Sequence, residues 1–98
     1  DEIYTYKTPY SRENLRVLLS VDWEQSVQKL NLKGGNRQDN DYALSWIRNY
    51  GNGRVFYCAF GHRHDIFWNK QILQHMLDGI QFALGDLKAD ATPSAKIK

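Results

Sequence analysis

A chain of 98 residues, 42% hydrophobic and 13% aromatic, is long enough for one small domain and too short for two. Its 13 basic and 11 acidic residues leave a formal charge of +2 without a basic stripe, and Asp39 and Asp41 flank the loop that carries Arg37, which argues against a surface that tracks nucleic acid. No apolar run reaches the roughly 20 residues that cross a bilayer, and a single cysteine, Cys58, excludes an internal disulfide and a cysteine-rich zinc site.

In chain order, residues Asp1 to Tyr6 set Ile3 against Tyr4 and Tyr6, an alternation that predicts a short strand running into a turn at Pro9. Leu15 to Val21 predicts a second strand, with Leu15, Val17, Leu19 and Val21 on one face and Leu18 opposite, closed by Asp22. The polar stretch from Trp23 to Asn40, with Gly34-Gly35-Asn36, reads as a long, exposed and mobile connection with room for a helical turn at Gln25 to Leu30. Tyr42 to Tyr50 and Arg54 to Phe60 are the arms of a hairpin around Gly51-Asn52-Gly53, where glycine supplies the positive backbone angles of a tight turn. The first arm places Tyr42, Leu44, Trp46, Arg48 and Tyr50 on one face and Ala43, Ser45, Ile47 and Asn49 on the other. In the second arm both faces are apolar, Phe56, Cys58 and Phe60 against Val55, Tyr57 and Ala59, which predicts a strand buried above and below. Cys58 there reads as a small buried residue rather than a nucleophile, Trp46 and Tyr57 as core, and Arg48 and Arg54 as solvated ends of the hairpin.

Gly61 breaks the chain away from the sheet and leaves His62 at the strand's end, where open α/β sheets place their ligands. Asn69 then caps a helix on which Ile72, Leu73, Met76, Leu77, Ile80, Ala83 and Leu84 recur at helical spacing until Gly85. His75, off that stripe, reads as surface. From Asp86 onward, Pro93 and Lys88, Lys96 and Lys98 suggest a flexible tail, so residues 1–85 form the domain and 86–98 the tail. One apolar helical stripe covers one face of a sheet, yet the strands present two. Uncovered large side chains cost about 1.5–3 kcal/mol each, in sum comparable to the whole stability of a small domain. The expectation is self-association or a partner segment; the alternative is that the 23–40 connection and the N-terminal residues fold over the second face.

Asp1-Glu2-Ile3-Tyr4, Arg12-Glu13-Asn14 before the Leu15 strand, Trp46 to Tyr50, Gly51-x-Gly53-Arg54-Val55-Phe56-Tyr57, Gly61-His62 and the closing helix with Gly79-Ile80 together resemble the C-terminal half of a ThuA-like (trehalose utilisation) domain. That resemblance implies part of a flavodoxin-like, class I glutamine amidotransferase-like three-layer α/β sandwich with a mostly parallel sheet. It also implies that a first half of the domain is absent here, so that the partner is a second copy or the missing N-terminal half. The nucleophilic cysteine of amidotransferase relatives belongs to that first half, and Cys58 lacks its sharp turn, so glutamine amidotransfer is not supported.

The resemblance implies a sugar or oxidised-sugar substrate in carbohydrate metabolism, with the reaction itself open. His62 is similar in position to the catalytic histidine of amidotransferase relatives and could act as general base or metal ligand; it could equally hydrogen-bond a loop carbonyl. His62-x-His64 could chelate a metal if the loop curled, or both could be solvated. Glu2 and Asp65 are candidate proton-transfer partners of His62, although the chain start could fray. A carboxylate beside Tyr4 could orient His62 or bind a sugar hydroxyl, and Trp68 could stack on a sugar ring or cap the core. No cofactor is required by the sequence. The alternative function is a non-catalytic interaction or carbohydrate-binding module that self-associates through an exposed sheet face. The absence of a basic-then-apolar leader and a start at Asp1 rather than methionine leave a soluble protein of open compartment, cytoplasmic or exported after removal of an upstream signal.

Overall fold

The computed structural model describes residues 1–30 and 37–97, the side chains of residues 27–30 excepted. The mobile connection expected at Gly34-Gly35-Asn36 lies outside the described residues. The elements are β1 (Arg16–Ser20), α1 (Trp23–Leu30), β2 (Ala43–Tyr50), β3 (Gly53–Cys58), a 3-10 turn at His64–Trp68, α2 (Lys70–Leu84) and a last 3-10 turn at Ser94–Lys96. The strands form one sheet in the order β1-β2-β3, and both pairings are antiparallel. No parallel pair occurs among the described residues, in contrast to the mostly parallel sheet expected. The reason is local: a two-residue link joins β2 to β3 at Gly51-Asn52, with a positive φ of 56° at Gly51, and such a hairpin enforces antiparallel pairing.

Residues 1–6 do not form the expected strand. Tyr6, and Tyr10 beyond the turn at Pro9, act as anchors instead, packing on Trp46 and Tyr57 of the sheet. Trp46 and Tyr57 stack at 4.2 Å, Tyr6 meets Trp46 edge-on at 5.1 Å, and the Tyr6 and Tyr57 hydroxyls lie 2.6 Å apart. The arm is fastened by Asp41, whose carboxylate accepts from Arg12 Nε and Nη2 at 3.0 and 2.8 Å and from the Tyr10 hydroxyl at 2.8 Å. Burial raises the proton affinity of that carboxylate, but the bonds from Arg12 and Tyr10 outweigh it and hold the group below its ordinary range. The N-terminal residues thus cover the Trp46 and Tyr57 part of the second face, a share that one alternative assigned to them together with the 23–40 connection, while Tyr50 and Val55 stay exposed.

On the first face, α2 meets the sheet by an unexpected side. Asn69 accepts from the amides of Gln71 and Ile72 and Gly85 ends the helix in the left-handed region, as the sequence predicts. The side set on the sheet, however, carries His75, Gly79 and Phe82. Gly79 is buried against Phe56, and a Cβ there would stand 2.4 Å from the ring. His75, expected at the surface, is half-buried: its Nε2 lies 2.7 Å from Ser45 Oγ and its ring meets Phe56 edge-on. The Ser45 hydroxyl donates to the Tyr57 carbonyl, so the hydrogen between Ser45 and His75 belongs to Nε2. Leu73, Leu77, Ile80 and Leu84 remain exposed. β3 is likewise not buried on both sides: its first three residues are exposed and its last three half-buried.

Residues 86–97 are docked rather than frayed. Ser94 donates its amide to the Leu15 carbonyl and accepts the Val17 amide at its hydroxyl, Ala95 donates to the Arg12 carbonyl, and Arg16 Nη1 donates to the carbonyls of Asp90 and Thr92. These bonds satisfy the Leu15 carbonyl and the Val17 amide at the start of the outer edge of β1, a requirement the polar composition of the tail did not reveal.

Candidate functional site

The anchored arm carries Asp1 and Glu2 to the loop that follows β3. Gly61 adopts a φ of 139°, which turns the backbone out of the sheet, and an added Cβ would sit 3.3 Å from the Phe67 ring. The three amides that follow the strand then converge on one carboxylate: Gly61 N–H donates to Asp1 Oδ2 at 2.7 Å, while His62 and Arg63 N–H donate to Oδ1 at 2.9 and 3.0 Å. Successive amides aimed at a single point form an anion-binding concavity, here filled by the chain's own carboxylate. Asp1 is therefore a clamp on the histidine loop. Its motif was visible in the sequence, but this role was not, since backbone amides leave no mark on residue choice.

Next to the clamp, Glu2 Oε1 lies 3.8 Å from His62 Nε2, and the Tyr4 hydroxyl donates to Glu2 Oε2 at 3.1 Å. The bond to Glu2, and then its charge, push the Tyr4 phenol up from its ordinary value. The His62 and Glu2 side chains are 64% and 54% exposed, so water screens the pair and its contribution to stability is small. An imidazole near a carboxylate, both open to solvent, can exchange a proton with a bound molecule.

The other sequence candidates are distributed around this pair. Asp65 is engaged by Arg63, with Nε 3.2 Å from Oδ1, rather than by His62. His64 opens the 3-10 turn and is exposed. Trp68 ends that turn 83% exposed, so it does not cap the core and offers an indole face to solvent. Among the described residues, no group of three or more His, Cys, Asp or Glu side chains is arranged to hold a metal ion. Two cavities, of about 920 Å³ beside Tyr6, Lys7 and Arg37 and about 510 Å³ beside Tyr10, Trp46 and Arg48, are not lined by His62. The candidate site is an open surface loop rather than a cleft.

A small α/β unit with a hairpin, a glycine-histidine loop and a carboxylate pair delivered from the N-terminal arm thus defines the class. The ThuA family model, described as trehalose utilisation, matches residues 1–83, and the chain belongs to that family. No curated protein and no solved structure matches the chain. Among the described residues, no helix is long and apolar enough to cross a membrane.

Proposed function

We propose that this chain contributes to carbohydrate metabolism by acting on a sugar or oxidised sugar, with His62 transferring a proton and Glu2 as its carboxylate partner. The observation that carries the reading is the approach of Glu2 Oε1 to His62 Nε2 at 3.8 Å on a loop held by Asp1. Asp1 is a positioning residue, because it binds the loop amides and not the imidazole. Trp68 supplies an aromatic surface for the apolar side of a sugar ring, Tyr4 and His64 supply polar contacts around it, and Asp65 acts through Arg63. In this reading the three strands and α2 belong to a flavodoxin-like sandwich.

Proton transfer can be tested without knowing the product. Incubated in deuterated buffer with trehalose, glucose or a keto-sugar, the protein should exchange a carbon-bound hydrogen beside the carbonyl of the keto-sugar, read by proton NMR. His62→Ala should abolish exchange and Glu2→Gln should slow it by about 10²-fold. Undiminished exchange in His62→Ala would remove the catalytic role.

A second reading, sugar binding without chemistry, is favoured by the exposure of Trp68. It predicts saturable quenching of tryptophan fluorescence by one of these sugars, lost in Trp68→Ala, with no exchange in the unaltered chain.

A further inference from the structure

The cover that residues 6–15 lay over the second face of the sheet leaves a hollow of about 510 Å³ between that loop and the strands. The volume falls within the roughly 300–1,000 Å³ of small-ligand sites. Its wall is aromatic: Tyr6, Tyr10, Trp46 and Tyr57 all border it, and each is half-buried rather than sealed away from solvent. Its charge is of one sign. Lys7 and Arg48 stand at the hollow with the amide of Asn14, and no aspartate or glutamate lines it.

Arg48 differs from the other arginines in what it meets. Arg12, Arg16, Arg37 and Arg63 each reach an aspartate, and Arg54 donates to the Phe82 carbonyl. Arg48 is half-buried, yet among the described residues its guanidinium has only the Asn49 carbonyl at 3.4 Å and the Tyr50 ring at 5.3 Å. The first is a long bond and the second a weak attraction, so a cation partly withdrawn from water keeps most of its demand for an anion. Lys7 is exposed and makes no ion pair among the described residues. Four aromatic rings around a hollow can also hold a cation, but Lys7 and Arg48 would repel one.

We infer that this hollow is a second ligand site, apart from the histidine loop, and that it takes a sugar ring carrying an anionic group, a carboxylate or a phosphate. The C–H side of such a ring is weakly positive and suits the negative faces of the aromatic wall. The anion is met by Arg48, whose planar fork suits either oxyanion, and by Lys7. A hydroxyl falls to Asn14, whose amide both donates and accepts. The inference does not rest on proton transfer at His62 and stands if that residue proves inert.

Titration of the intact chain with glucuronate, glucose 6-phosphate and glucose, followed by NMR of the tryptophan indole N–H and arginine Nε–H groups, tests this. The anionic sugars should shift Trp46 and Arg48 saturably and bind about tenfold or more tighter than glucose; comparing the two tells a carboxylate from a phosphate. Arg48→Gln should weaken that binding by about tenfold or more. Lys7→Gln, which removes an exposed charge, should weaken it by about twofold to fivefold. Circular dichroism should be unchanged in both, and added salt should weaken the anionic sugars but not glucose. If Arg48→Gln fails to fold, Lys7→Gln and the salt dependence decide. No response at Trp46 to any of the three, glucose bound as tightly as the anionic sugars, benzoate bound as tightly as glucuronate, unaltered affinity in a folded Arg48→Gln, or a response at Trp68 alone would each overturn the inference.

Discussion

On the side of the sheet facing α2, Ile47 and Phe56 meet Gly79 and Phe82 largely through shape, with two bonds across the contact, between Ser45 and His75 and from Arg54 to the Phe82 carbonyl. On the opposite side Trp46 and Tyr57 meet Tyr6 and Tyr10, and that contact is fastened by hydroxyls, by Arg12 and by one ionised carboxylate, Asp41. The first side depends on volume and the second on bonds and charge. One sheet can thus be closed by two mechanisms, and the second of them is the one that carries Asp1 and Glu2 to the histidine loop.

The largest expected effect lies on the first side. Phe82 is 3% exposed, and Phe82→Ala should cost about 3–5 kcal/mol in urea unfolding; a loss below about 1 kcal/mol would mean that α2 is not seated there. Gly79→Ala sets two effects against each other. Alanine gains about 1 kcal/mol of helix propensity but meets the Phe56 ring, and overpacking costs about 1–3 kcal/mol. Net destabilisation, relieved by a smaller residue at position 56, is expected, whereas a more stable variant would show that the helix stands further off.

Asp41→Asn should cost about 1–2 kcal/mol and loosen the arm, with Tyr6 and Tyr10 resonances shifting while those of Phe82 do not. Because the folded Asp41 carboxyl is held below its ordinary 3.8, its contribution is present above that value and lost as pH falls through the lower, folded one. His75 gives the first side a milder acid response of its own. Burial, opposed by Asp78, lowers its proton affinity from the ordinary 6.5, so its contribution is complete above that pH and erodes as pH falls below it. His75→Gln should flatten the stability profile just below neutrality. The smallest effect on stability is expected for Asp1→Asn, which should still speed amide exchange at Gly61, His62 and Arg63; unchanged exchange would separate the clamp from the loop.

Where local chemistry decides an element, the sequence displays it. Asn69 and Gly85 bound α2, and Gly51-Asn52-Gly53 marks the hairpin, because caps and turns are choices about single residues. The seating of α2 was hidden for the converse reason. Its apolar residues spread over roughly 220° of the helix, and periodicity does not say which part of so wide an arc meets the sheet. Gly79 decides it, by leaving room for Phe56. The tail was hidden because its bonds to β1 use backbone and one serine hydroxyl, which polar composition does not distinguish from fraying. Of the candidate site, the proximity of Glu2 to His62 was legible only through resemblance, and the clamp by Asp1 was not legible at all.

The fastening of Leu15 and Val17 by Ser94 has a bearing on the order of assembly. Those contacts join positions nearly eighty residues apart, the kind of long-range closure that slows folding. During synthesis, the hairpin and its helix can come together first, while the outermost strand waits for residues 94 and 95 to leave the ribosome before its free rim is sealed.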